Sequence, residues 1–361
     1  MENQVAQTIQ SAKLPNNICV WLKPDGQVEK QIDRSLEEHI AAIQSASVAW
    51  IDYSINEIEK DLEKVAMTAG FTQVPIQKLL SGFLSSYEDA DTELGIMMPA
   101  IIVNAFDVKV RPVVVLIKGN LIMTVHEGDV NRIMKFARYA PAFLKKIKVD
   151  STADRITVIL ERIIDENNDR NFEYLREIEK HGDDISKRLI DEDLDKRIVA
   201  REIYEMKHVL IIYLNALWAS KDVIESLRYG DADLITDDEK LLGRIGILSD
   251  NIDRHIELSE QMSNVLASGL EVMQSIYNNQ LQTMNNRFAL VTAYLTVLGT
   301  AALVPNTLAT IAGSGWLVMG APMADHWWYI YLLIGSTSLA TLISLWWVWR
   351  VWRKKDDGRM K

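Results

Sequence analysis

The chain is poor in cysteine: Cys19 is its only one. That excludes an intrachain disulfide framework and a zinc site built on cysteines alone. No apolar run follows Met1, so no cleavable signal peptide is expected and targeting falls to later segments. Proline is missing from Thr152 until Pro305, and nothing there forces a helix to stop. No nucleophile–base motif, phosphate loop or HExxH pattern occurs, which removes the common enzyme signatures, and the protein is read as a non-enzyme. Charge is absent from two stretches, Phe288 to Met323 and Trp327 to Trp349. Segments of that length without charge do not belong in water.

Each uncharged stretch supplies the ~20 apolar residues that cover ~30 Å of hydrocarbon at helical rise. The sequence therefore predicts two membrane spans, 287–313 and 327–349, joined by a loop, 314–326, in which Gly315, Gly320 and Pro322 break helix. Arg350, Arg353, Lys354, Lys355, Arg359 and Lys361 follow the second span, and the positive-inside rule puts this basic tail, 350–361, in the cytoplasm. Two spans then place the N-terminal side there as well. Trp327, Trp328, Tyr329 and Tyr331 at one end, and Trp346, Trp347, Trp349 and Trp352 at the other, read as interfacial belts. The expected location is the cell membrane, multi-pass, with both termini inside.

With the basic tail set aside, the body is more acidic than the −11 of the whole chain. Such a body argues against nucleic acid as a partner and suits cations. Residues 1–150 alternate strand and helix signals. Asn17–Leu22 and Ser47–Asp52 read as strands around a Pro24-Asp25-Gly26 turn and a helix over Ser35–Ser45, whose Ser35 and Glu38 form a capping-box pattern. Helical periodicity covers 55–69 and 75–86; strands follow at 96–106, 108–118 and 121–126, the last two joined through Gly119-Asn120, and helix returns over 129–147. These make a cytosolic α/β domain.

Residues 151–286 read as a helical stalk domain, with one long helix starting near Thr236 and Glu239 placed to complete a capping box. Positions 241, 245, 248, 252, 255, 259, 262, 266, 269, 273 and 276 form a 3.5-residue seam rich in Leu, Ile and Met, the mark of helix against helix. Other copies of the same chain are the economical source of partners. No breaker separates the seam from the first span, so one helix of roughly 110 Å is expected to run from cytosol into bilayer.

Several segments resemble the CorA family of divalent-cation channels. Trp50-Ile-Asp-Tyr53 is similar to its early strand signature, and Leu116-Ile-Lys-Gly-Asn-Leu-Ile-Met-Thr-Val-His126 to its strand–turn–strand. Tyr277, Asn286, Phe288-Ala-Leu-Val-Thr292 and Pro305-Asn-Thr307 resemble its approach to the membrane, and the basic tail matches too. The resemblance implies an α+β membrane protein forming a CorA-like homopentameric funnel, its first spans lining the pore. It also implies Mg2+ or another divalent cation as the transported and regulatory ion, with no organic cofactor. One departure stands out. The family closes its first span with Gly-Met-Asn, where this chain reads Ala312-Gly-Ser-Gly-Trp316. A zinc or other transition-metal carrier of the same superfamily, and a non-conducting membrane-anchored scaffold or sensor, remain as alternatives.

A five-fold ring can offer oxygen ligands to the water shell of a small hard cation by repeating one polar group. Asn285 and Asn286 at the start of the first span, Thr292, Thr296, Thr300, Asn306 and Thr307 within it, and Gly313 and Ser314 at its mouth are the polar candidates, of which Asn285, Asn286, Thr300, Thr307, Gly313 and Ser314 are the expected pore-lining residues. Ser314 with the neighbouring glycine carbonyls would replace the family's Asn ring with less selective ligands. Threonine hydroxyls in a span also bond back to their own helix, which is the competing structural use. Asp250, Asp253, Glu257 and Glu260 share one face of the stalk helix. Asp253 lies where the resemblance places a metal-sensing carboxylate. Asp250 and Glu257 join it as candidate metal ligands, with Glu88, Asp89 and Asp91 as partners from the first domain. The family's acidic pair after the proline reads Gln77-Lys78 here. His126 and His255 lack a second ligand at binding spacing and are read as structural.

Overall fold

Strict alternation of buried side chains builds the sheet. A computed structural model describes residues 17–104, 107–128, 130, 133–149, 151–190, 196–229, 232–313 and 327–356. Seven strands, β1 (Asn17–Leu22), β2 (Val28–Ile32), β3 (Val48–Ile55), β4 (Ser86–Ala90), β5 (Glu93–Asn104), β6 (Asp107–Lys118) and β7 (Leu121–Glu127), lie in the order β2-β1-β3-β7-β6-β5-β4. Among the described residues only β3 and β7 pair in parallel, with Asp52 opposite Thr124 and Ser54 opposite His126. Ile18, Val20, Trp50, Val113, Val115 and Ile122 face one core; Cys19, Trp21, Ala49, Ile51, Val114 and Met123 face the other. A period of two with both sets apolar means both sheet faces are covered.

The second face is closed by α1 (Leu36–Ala42), α2 (Ile58–Thr68) and α3 (Ile76–Leu80) through Leu36, Leu62 and Leu79. The first is closed by α4 (Ile133–Leu144), α5 (Thr152–Asp169), α6 (Asn171–Ile190), α7 (Lys196–Tyr229) and the beginning of α8 (Glu239–Gly313). Trp50 packs on Phe136 of α4 with ring centroids 4.6 Å apart. At the Gly119-Asn120 turn Gly119 has φ +55, as hairpin turns with glycine at their first central position require. A Cβ on Gly95 would lie 2.6 Å from Val74 Cγ1 and 3.2 Å from Leu79 Cδ2, so glycine lets α3 and its lead-in rest directly on β5.

The structure departs from the sequence expectation in four places. The Pro24-Asp25-Gly26 turn closes a hairpin onto β2, an edge strand whose Val-Glu-Lys-Gln-Ile is largely exposed, so no apolar alternation marked it. The helix expected over 75–86 is only five residues long and is followed by β4, the opposite edge strand. The long helix begins at Glu239, capped by Asp238, whose Oδ1 accepts from the N–H of Lys240 and Leu241, both at 3.0 Å. Thr236 is not its cap; its hydroxyl accepts from the Asp238 N–H and meets Asp154. Finally, the seam on α8 is covered by the chain itself. This holds for its early part: Ile245, Leu248 and Ile252 are buried in the core shared with α5 and α7, with Ile256 beside them, while positions 262, 269, 273 and 276 are only partly covered. A heptad pattern states that a helix is covered, not by which helix.

The chain divides into two units, residues 1–271 and 272–361. In the second, α8 continues to Gly313 and α9 (Trp327–Asp356) follows. Among the described residues α8 is the one helix long and apolar enough to cross a bilayer, with mean hydropathy 1.8 over its most apolar window; α9 holds a shorter apolar run, Tyr331–Trp347. Phe288, Leu295, Leu298 and Leu303 on α8, and Leu339, Leu342 and Leu345 on α9, are exposed in the single chain. Apolar surface this continuous calls for a cover of lipid or protein.

Candidate functional site

The two strand motifs come together inside the sheet. Trp50 Nε1 donates to Thr124 Oγ1 at 3.3 Å, and the Thr124 hydroxyl donates to Asp52. His126 places Nδ1 2.7 Å from the Glu127 carbonyl and Nε2 3.4 Å from Asp52 Oδ1. All four side chains are buried, and a buried polar group needs such partners. These residues tie β3 to β7. His255 sits against Phe172, ring centroids 5.8 Å apart, and burial holds its pKa below the ordinary value. His126 is structural by its bonds, whereas the buried Nδ1 of His255 meets no hydrogen-bond partner.

The acidic candidates are scattered and mostly engaged. Lys221 on α7 holds Asp253 through both carboxylate oxygens, at 2.6 and 2.9 Å. The hydrogen bond to the Asp253 carboxylate raises the pKa of the Lys221 ammonium above its ordinary value, so the lysine stays charged at neutral pH. Lys78 on α3 holds Glu88 of β4 at 2.7 Å, and the neighbouring Gln77 donates to Glu63. Asp89 Oδ1 accepts from the Asp91 N–H at 3.1 Å, an Asx-type turn in which Asp91 has φ +58. Asp250 and Glu257 are exposed on α8. Among the described residues no three His, Cys, Asp or Glu side chains gather closely enough to hold a metal ion. A regulatory divalent ion that draws several carboxylates into one shell does not fit this donor set within one chain. Lys78 and Lys221 could not be foreseen: each neutralises an acid distant in sequence, a contact with no local pattern.

The apolar part of α8 is different. At 100° per residue, Asn285, Thr292, Thr296, Thr300, Thr307 and Thr310 fall on an arc of about 80° of the helix surface. Asn286 lies about 40° beyond Thr300. Thr296 donates to the Thr292 carbonyl at 2.8 Å, Thr300 to Thr296 at 2.7 Å, Thr307 to Leu303 at 2.7 Å and Thr310 to Asn306 at 2.8 Å. Back-bonding and service to an ion are therefore not rivals. Each hydroxyl spends its single proton on its own helix and keeps lone pairs free as acceptors. Pro305 adds a further acceptor, because it has no N–H for the Ala301 carbonyl one turn earlier. Gly313 is the last residue of α8; Ser314 and the loop 314–326 lie outside the described residues. Thr310 was not among the sequence candidates, though its spacing from Thr307 and Thr292 places it on the same arc.

Comparison with protein-family profiles matches residues 45–354 to the family described as "CorA-like Mg2+ transporter protein". Comparison with curated proteins finds no match. Among solved structures, the chain is similar to the complete CorA magnesium transporter of Methanocaldococcus jannaschii, with 18% identity and TM-score 0.66 over 91% of this chain and 96% of that one. It is also similar to the full-length CmaX protein, with 14% identity and TM-score 0.61 over 95% and 100% of the two chains. A third similarity is to the ZntB cytoplasmic domain of Vibrio parahaemolyticus, with 15% identity and TM-score 0.56 over 73% and 99%.

Proposed function

The chain belongs to the CorA-like Mg2+ transporter family, and on that premise we propose that it is a homopentameric channel carrying divalent cations down their electrochemical gradient into the cytosol. Residues 1–286 hang in the cytosol as an α/β domain, 1–150, and a helical stalk, 151–286. Segments 287–313 and 327–349 cross the membrane, 314–326 lies outside, and the basic tail 350–361 lies inside. The first span lines the pore.

The observation that carries this reading is the threonine arc of α8, a row of acceptors on a segment whose other faces are apolar and exposed. A hydrated Mg2+ dehydrates reluctantly and turns the protons of its water shell outward. A wall of hydroxyl lone pairs receives those protons and repels anions, without stripping the shell. Asn285, Thr300 and Thr307 sit on this wall, Asn286 beside it, and Gly313 and Ser314 at its outer end.

The absence of Gly-Met-Asn favours relaxed selectivity, because hydroxyls and glycine carbonyls discriminate less between hydrated ions of similar size. Purified protein in liposomes is expected to pass Mg2+, Co2+, Ni2+ and Zn2+ at rates within about tenfold of one another. A strong Mg2+ preference would contradict relaxed selectivity and leave transport intact. A strong Zn2+ preference would favour the transition-metal reading that the fold likeness to ZntB also allows, and no flux of any ion would favour a scaffold. Gating by cytosolic metal falls to Asp250, Glu257 and Asp89, since Asp253 and Glu88 already hold lysines.

A further inference from the structure

We infer that the Lys221 ammonium is the standing cation of Asp253, and that divalent metal does not act on this protein through that carboxylate. The evidence is geometric. One nitrogen lies 2.6 and 2.9 Å from the two carboxylate oxygens, the place a divalent ion would take. Mg2+ needs oxygen ligands at about 2.1 Å in octahedral array. It could not share Asp253 with an ammonium a few ångströms away, because like charges so close repel strongly.

Lys221 is also held from other sides. Its nitrogen lies 5.5 Å from the centroid of the Trp218 ring, a cation–π distance. Asp222 and Glu225 add to the field that keeps it protonated, and Glu225 itself bonds Ser249 of α8. The lysine thus fastens α7 to α8 where the acidic face of α8 begins. Glu88 repeats the arrangement with Lys78 at 2.7 Å, so two acids expected to share a metal each carry a tethered cation.

The test measures binding first, so that it does not depend on transport. Full-length protein in detergent is titrated with Mn2+ and free Mn2+ is followed by electron paramagnetic resonance. Wild type, Asp253→Asn, Lys221→Gln and the double variant Lys221→Gln/Asp253→Asn are compared. Wild type and Asp253→Asn should bind equal amounts with equal affinity. With its carboxylate unpaired, Lys221→Gln should bind Mn2+ at least about tenfold more tightly than wild type, and the double variant should return to wild-type binding. Loss of Mn2+ on going from wild type to Asp253→Asn overturns the inference, as does a Lys221→Gln protein that gains nothing. If Lys221→Gln does not fold, the wild-type and Asp253→Asn comparison still decides, with Lys221→Arg expected to match wild type. A second arm, metal inhibition of flux in liposomes, rests on the transport proposal. Absence of flux in all variants would sink that proposal and leave the binding result standing.

Discussion

Replacing Thr307 with valine is expected to cut divalent-cation flux into liposomes by at least about tenfold, with assembly and expression unchanged. Valine keeps the branched shape and removes only the hydroxyl, whose proton now goes to the Leu303 carbonyl at 2.7 Å. Each copy loses one acceptor worth about 1 kcal/mol to the shell of a passing ion. If five copies present it in one ring, even partial addition exceeds the 1.4 kcal/mol that corresponds to tenfold. Thr307→Ser restores the oxygen and should recover most of the flux. Equal flux through Thr307→Val and wild type would show that this oxygen does not meet the ion.

The second large effect concerns folding. Glu93 at the start of β5 is fully buried and accepts from the N–H groups of Thr72, at 3.0 and 2.9 Å, Gln73 at 2.7 Å and Val74 at 3.1 Å, with Lys118 Nζ at 2.8 Å. Burial by itself would raise its pKa, but Lys118 and the three backbone donors outweigh it and hold the carboxyl at about 2, against 4.5 ordinarily. Glu93→Ala strands three backbone donors, and is expected to cost about 3–5 kcal/mol in urea or thermal unfolding of the full chain. Because the folded pKa lies below the unfolded one, the stabilisation is complete above the unfolded pKa. It is lost as the pH falls toward about 2. The wild type should therefore lose about 3 kcal/mol over that acid interval. Glu93→Gln should be less stable at neutral pH and flatter in acid. A variant as stable as wild type at pH 7 would contradict this account of the loop.

These two residues mark what a sequence can and cannot disclose. Thr307 is singled out in the sequence by the Pro305-Asn-Thr307 run that resembles the family, while the arc it shares with the other threonines emerges only once α8 is known to run unbroken to Gly313. Glu93 was invisible, since a carboxylate before Leu-Gly-Ile carries no sign that three backbone N–H groups will converge on it. The central strands β1, β3, β5, β6 and β7 were readable from their apolar runs. The edge strands β2 and β4 were not, because Val-Glu-Lys-Gln-Ile and Ser-Tyr-Glu-Asp-Ala are polar on their open sides. The early seam on α8 announced burial correctly but not its cover, which is the chain's own α5 and α7. Likewise the acidic stripe was plain, while the lysine that holds Asp253, 32 residues earlier in the chain, had no local trace.

The most direct test of the central claim is thiol accessibility along α8. Cys19, the only native cysteine, is buried and its thiol is pushed up to about 12, so single cysteines can be introduced against a silent background. Thr292→Cys, Thr296→Cys, Thr300→Cys and Thr307→Cys represent the threonine face; Val291→Cys, Tyr294→Cys and Leu298→Cys the opposite one. With a membrane-impermeant cationic thiol reagent on reconstituted protein, the account predicts modification confined to the threonine face and slowed by divalent cations. Modification spread evenly over both faces, or found only at Val291→Cys, Tyr294→Cys and Leu298→Cys, would contradict a water path along the threonines.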